Sequence, residues 1–174
     1  MPTSRAGTFS NPKGFTLVEL GVVLLVLALF SGLVLPNLLG LGERGLSSTA
    51  GRLSSLVKYL YNEAALTGLE HRLIFDLDAG TFEAARVEEN GELRHLESGP
   101  GKKTRLPENQ SFREVRVAGR GSFSRGDVST WFYPVGWLDE TLIHLKSTQG
   151  DELTLRLSPL SGTTEIHEGY DQFD

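Results

Sequence analysis

One stretch constrains this chain more than any other. From Phe15 to Leu41 the sequence runs for 27 residues with Glu19 as its only charged side chain. As a helix it would extend about 40 Å, and about 20 apolar residues are enough to cross a hydrocarbon core. The spacing therefore predicts a transmembrane helix. Three details set it apart from a secretory signal or a plain anchor. The small residue Gly14 and the basic Lys13 stand before the apolar core, whereas a cleavable secretory signal has its small residues after it. Glu19 lies inside the run, where an ionised carboxylate costs at least about 2.5 kcal/mol. Pro36 lies near the far end, although a proline in a helix interior costs about 3 kcal/mol.

Lys13-Gly14-Phe15-Thr16-Leu17-Val18-Glu19 resembles the processing signal of type IV prepilins and type II secretion pseudopilins. That resemblance implies cleavage by prepilin peptidase after Gly14 and N-methylation of the new terminus, Phe15. It makes Glu19 the assembly carboxylate at the fifth position of the mature chain, and Pro36 the family's helix proline. Desolvation would push a carboxylate in hydrocarbon toward its neutral form. The amine of a neighbouring subunit's Phe15 would favour the charged form, and only in one axial register.

Arg5 and Lys13 precede the run, so the positive-inside tendency places residues 1–14 in the cytoplasm and the rest outside. Residues 1–14 read as a leader absent from the mature chain, 15–68 as a long helix, and 69–174 as a periplasmic β-rich domain. Two of the 17 basic and one of the 22 acidic side chains precede residue 37, leaving 15 against 21 beyond it. That acidic balance argues against a nucleic-acid partner, because phosphate binding is driven by basic surface. With no cysteine there is neither a disulfide frame nor a thiolate site.

Leu46, Ala50, Leu53, Val57, Leu60 and Ala64 recur at helical spacing and predict one buried face, with Gly68 as the stop. Pro36, Gly40, Gly42 and Gly45 leave two readings of 36–45 open: a bend, or an intact helix with small residues for close packing. After Gly68 the period changes to two. Leu73, Phe75 and Leu77 alternate with polar neighbours, and Phe82 to Glu88 reads as a second strand. Asn90-Gly91 predicts a two-residue hairpin, and residues 97–110 form the longest loop. Strands are expected around Phe112, Val115 and Val117, over Thr130 to Trp137, and around Leu142 to Leu145, Leu153 to Leu157 and Thr163 to His167. The class is α+β, one long helix followed by antiparallel sheets, and the resemblance implies that this is a type IV pilin-like fold.

Phe132-Tyr133-Pro134-Val135-Gly136, together with the segment from Leu157 to Ile166, resembles the C-terminal elements of the GspH/FimT minor pseudopilins. Ser161-Gly162-Thr163 stands where that family usually has Thr-Gly-Arg. The resemblance implies a non-enzymatic minor pseudopilin of a type II secretion system, held in the inner membrane and incorporated at the tip of a periplasmic pseudopilus. Its partners would be other major and minor pseudopilins and prepilin peptidase. The alternative is a FimT- or FimU-like minor pilin of a type IV pilus, acting in pilus assembly or DNA uptake.

No catalytic, cofactor or metal motif stands out. His71, His95, His144 and His167 are scattered without a second ligand at metal spacing and read as surface strand residues. Asp127, Asp139, Glu140, Asp151 and Glu152 sit near turns, where solvated carboxylates are ordinary, with a calcium site as the other reading. Residues 102–125 hold Lys102, Lys103, Arg105, Arg113, Arg116, Arg120 and Arg125 against two acids, while 149–174 hold six acids against Arg156. They read as solvated loops, or as surfaces that match between neighbouring subunits.

Overall fold

The computed structural model describes residues 17–39 and 41–171. It divides into two units, residues 1–40 and 41–174. In the first, helix α1 runs Leu17–Leu39 with Glu19 in its opening turn. Pro36 falls within this helix, and Gly14 and Phe15 lie outside the described residues. Among the described residues no helix is long and apolar enough to cross a membrane. The transmembrane reading of 15–41 therefore rests on the sequence.

The second unit opens with α2, Leu41–Thr67. Its six-residue stripe is buried as the spacing predicts, joined by Leu56. Gly68 ends it in a left-handed conformation, φ 71°, with its amide bonded to Ala64 O at 3.1 Å.

Eleven strands follow among the described residues. They are β1 (His71–Asp76), β2 (Thr81–Val87), β3 (Leu93–His95), β4 (Thr104–Arg105), β5 (Gln110–Val117), β6 (Gly121–Phe123), β7 (Asp127–Tyr133), β8 (Trp137–Leu138), β9 (Thr141–Ser147), β10 (Glu152–Leu157) and β11 (Thr164–Glu168). The first sheet has the order β3-β2-β1-β7-β8, with β4 beside β2; the second has β11-β10-β9-β5-β6. Every strand pair is antiparallel.

Helix α2 packs on β1 and β7 of the first sheet and on β9 and β10 of the second. The stripe meets Leu73, Phe75 and Phe132 from one side and Val115, Ile143, Leu145 and Leu155 from the other. Phe75 and Phe112 close the core edge-to-face across the two sheets, centroids 5.5 Å apart, a favoured aromatic geometry. Buried polar groups in the core are paired where the layers meet. The Thr130 and Thr141 hydroxyls lie 3.0 Å apart between β7 and β9, and Thr49 donates to Gln110 Oε1 at 2.6 Å.

The structure departs from the sequence reading at three places. Asn90-Gly91 does not form a two-residue hairpin. Glu88 O accepts the Gly91 amide at 2.8 Å, and Gly91 alone has positive φ, 82°. This is a type I turn closed by a left-handed glycine, giving a three-residue loop. The uneven spacing of Phe112, Val115 and Val117 reflects a register shift between Phe112 and Glu114, a β-bulge that lets all three face the core. The long segment 97–110 holds a 3-10 turn at Gly99–Gly101 and strand β4, and buries Leu106.

Candidate assembly surface

Glu19 opens a helix that is apolar on every side. In α1 the side chains of Leu17, Val18, Leu20, Leu24, Leu25 and Leu29 are all exposed. A helix apolar all round needs lipid or other helices about it.

In the second unit the two C-terminal motif segments converge on one side chain, Tyr61 of α2. Its hydroxyl lies 2.6 Å from Leu160 O and 2.9 Å from Gly136 O, so a single proton serves two turn carbonyls. Lys58 Nζ donates to Ser161 O at 3.0 Å and lies 5.3 Å from the Tyr61 ring centroid. Gly162 sits against that ring with φ 61°, and a Cβ there would come within 2.3 Å of Tyr61 Cγ. Only glycine fits, both for its φ and for the space. The β8 strand joins the same cluster through the Leu138 amide on Pro159 O at 3.0 Å.

This clasp carries an apolar surface. Val135 is 88% exposed, Leu160 73% and Trp137 45%. A contiguous exposed apolar patch is a candidate interaction surface. Sequence reasoning quoted both turns but missed Tyr61, which lies outside the apolar stripe of its helix. The available signal was an aromatic residue one position past Leu60, at the rim of that stripe.

Four of the seven cations of the basic stretch meet carboxylates of the same chain. Arg113 binds both carboxylate oxygens of Glu152, Arg120 binds Asp139 at 2.6 Å, Arg116 meets Glu114 at 3.3 Å, and Lys103 meets Glu83 at 3.6 Å. Arg113 of the basic stretch thus meets Glu152 of the acidic one within the chain. Asp139, read as a solvated turn carboxylate, also takes the Trp131 amide at 3.2 Å and the Tyr133 hydroxyl at 3.3 Å. Burial, then the charge of Asp139, raises the Tyr133 pKa. Arg72 and Arg120 both lie over the Trp131 ring, at 4.4 and 5.0 Å. Among the described residues no three metal-ligating side chains converge.

Two histidines depart from the expectation of surface strand residues. His71 and His144 are buried. Burial lowers the His71 pKa, opposed by the Leu69 carbonyl, which meets Nδ1 at 3.0 Å. Their neighbours hide them: β2 and β7 flank His71, and β5 and β10 flank His144.

No protein-family model matches the sequence, and no characterised protein matches it by sequence. Solved structures do resemble it. The crystal structure of the minor pseudopilin EpsH from the type II secretion system of Vibrio cholerae superposes with a TM-score of 0.57 at 12% identity, covering 71% of this chain and 94% of that one. A second structure of EpsH gives 0.55 at 11%, covering 70% and 95%. The solution structure of Escherichia coli GspH gives 0.51 at 12%, covering 72% and 88%. The chain therefore has the fold of the GspH-type minor pseudopilins.

Proposed function

We propose that this chain is a minor pseudopilin of a type II secretion system, a structural subunit that joins other pseudopilins at the tip of a periplasmic pseudopilus. The observation that carries the reading is a conjunction: a GspH-type fold in a chain whose apolar helix opens with Lys13-Gly14-Phe15-Thr16-Leu17-Val18-Glu19. Prepilin peptidase would cleave after Gly14, and the mature chain would begin at N-methylated Phe15. The run 15–41 would hold the subunit in the inner membrane before assembly. Glu19 would then meet the terminal amine of a neighbour, compensating its buried charge only at the correct stagger. The turns clasped by Tyr61 would present Val135, Trp137 and Leu160 to a partner subunit.

Mass spectrometry of the membrane-extracted protein, with and without prepilin peptidase, tests the reading. A chain starting at N-methylated Phe15 only when the peptidase is present is the expected result; an intact leader in peptidase-positive cells would overturn it. Glu19→Ala should still be inserted and processed, yet fail to enter the pseudopilus in a crosslinking assay.

A further inference from the structure

Residues Gly169 to Asp171 lie on the second sheet at a seat fitted to one aromatic ring. Tyr170 stacks on the imidazole of His144, centroids 4.3 Å apart and planes 24° apart. The Arg113 guanidinium lies 4.5 Å from the same ring centroid. The Tyr170 ring thus touches both the imidazole and the guanidinium. At its rim the Tyr170 hydroxyl donates to Glu114 Oε2 at 3.2 Å and accepts from Arg116 at 3.3 Å.

Beneath the ring, the buried Thr154 hydroxyl fixes both the tail and the histidine. It donates to Gly169 O at 2.6 Å, so its oxygen is left to accept. It accepts from the Asp171 amide at 3.2 Å and from His144 Nδ1 at 2.9 Å. The imidazole proton therefore sits on Nδ1. Nε2 is buried and has no partner among the described residues. A second proton would create a buried cation with an unsatisfied donor, which is costly.

We propose that Gly169–Asp171 is a pH-operated strap, closed on neutral His144 and released when the imidazole takes its second proton. Release would bare the sheet surface around His144 and Thr154. The surrounding charges do not cancel the effect. Burial is the largest influence and lowers the His144 pKa; Glu114 of β5 and Asp171 of the tail favour the cation, while Arg113 and Arg116 of β5 oppose it. On β10, Glu152 and Arg156 share the face of Thr154, where Glu152 is held by Arg113 and Arg156 pairs with Glu140. Lys146 of β9 is two residues from His144. With a folded-state pKa below the ordinary histidine value, the strap is fully closed above that ordinary value. It opens as pH falls through the lowered one.

The test is amide exchange and ring-proton NMR on the full chain in detergent micelles, from about pH 7.5 down to about pH 5. The Asp171 protection factor should fall, by at most about tenfold per pH unit, as pH drops from the ordinary histidine value to the His144 midpoint, and level off below it. The Tyr170 ring resonances should lose their stacking shift over the same range. His144→Gln can still donate to Thr154 and cannot be charged, so its Asp171 protection should stay flat. Tyr170→Leu should open the strap at every pH and return the His144 midpoint to the ordinary range. Constant Asp171 protection while His144 titrates would overturn the proposal. So would an unchanged pH response in His144→Gln, or an unmoved midpoint in Tyr170→Leu.

Discussion

The two helices of this chain are both rich in leucine, yet their apolar side chains are distributed in opposite ways. In α2 the stripe from Leu46 to Ala64 is buried against the two sheets, while Arg52, Ser55 and Lys58 remain outside. In α1 apolar side chains point in every direction and are exposed. Burial inside one chain needs only a stripe, because the other side of the helix faces water. A helix apolar all round has no water-facing side. Hydrophobicity alone does not separate the two cases; its distribution around the axis does.

The largest expected effect sharpens this contrast directly. Leu53→Ala, at a position with no solvent exposure, should lower unfolding stability by about 3 kcal/mol in a urea titration. Leu24→Ala in α1 should leave that transition within about 0.5 kcal/mol. Equal losses at both positions would erase the distinction. Next comes Gly162→Ala, which combines a disfavoured φ with a collision against the Tyr61 ring. It should cost about 2 kcal/mol and expose the Ser158 to Thr163 turn to protease. Tyr61→Phe keeps the ring and loses only the hydroxyl that serves Leu160 O and Gly136 O. About 1 kcal/mol is expected there; a null result would mean that the ring alone organises the clasp.

The smallest effect is a slope. Burial holds the His71 pKa below its ordinary value, so the neutral form is favoured in the folded state. Its contribution is fully present above the ordinary histidine pKa and is lost as pH falls through the lowered one. In a His144→Gln background, which removes the other buried imidazole, His71→Asn should flatten the remaining fall of stability with acid. A slope that persists would assign it to carboxylates instead.

Much of the second unit could be read from local pattern. The α2 stripe, the Gly68 stop and the alternation of Leu73, Phe75 and Leu77 each follow from spacing over a few residues. What could not be read lies in long-range pairing. Nothing near β1 says that its other neighbour is β7 rather than the next strand along, and nothing near Phe112 says that β5 lies against β9. His71 and His144 were misjudged for the same reason, since the elements that cover them are distant in sequence. Tyr61 was missed because its partners are turn carbonyls, which leave no side-chain signature. The reading of the motif at Lys13 to Glu19 rests on the sequence alone, since Gly14 and Phe15 lie outside the described residues.

The strand order has a consequence for how the chain reaches its native state. The first sheet needs β7 to flank β1, and the second needs β9 to flank β5 and β10. Pairings over such sequence separations form slowly. A chain that emerges from its N-terminal end thus carries α2, β1 and β5 for some time with their apolar faces open. The native sheets cannot close until residues well past the midpoint have arrived. Truncation before β9 should therefore leave no smaller native core, only a segment ready to aggregate or be degraded.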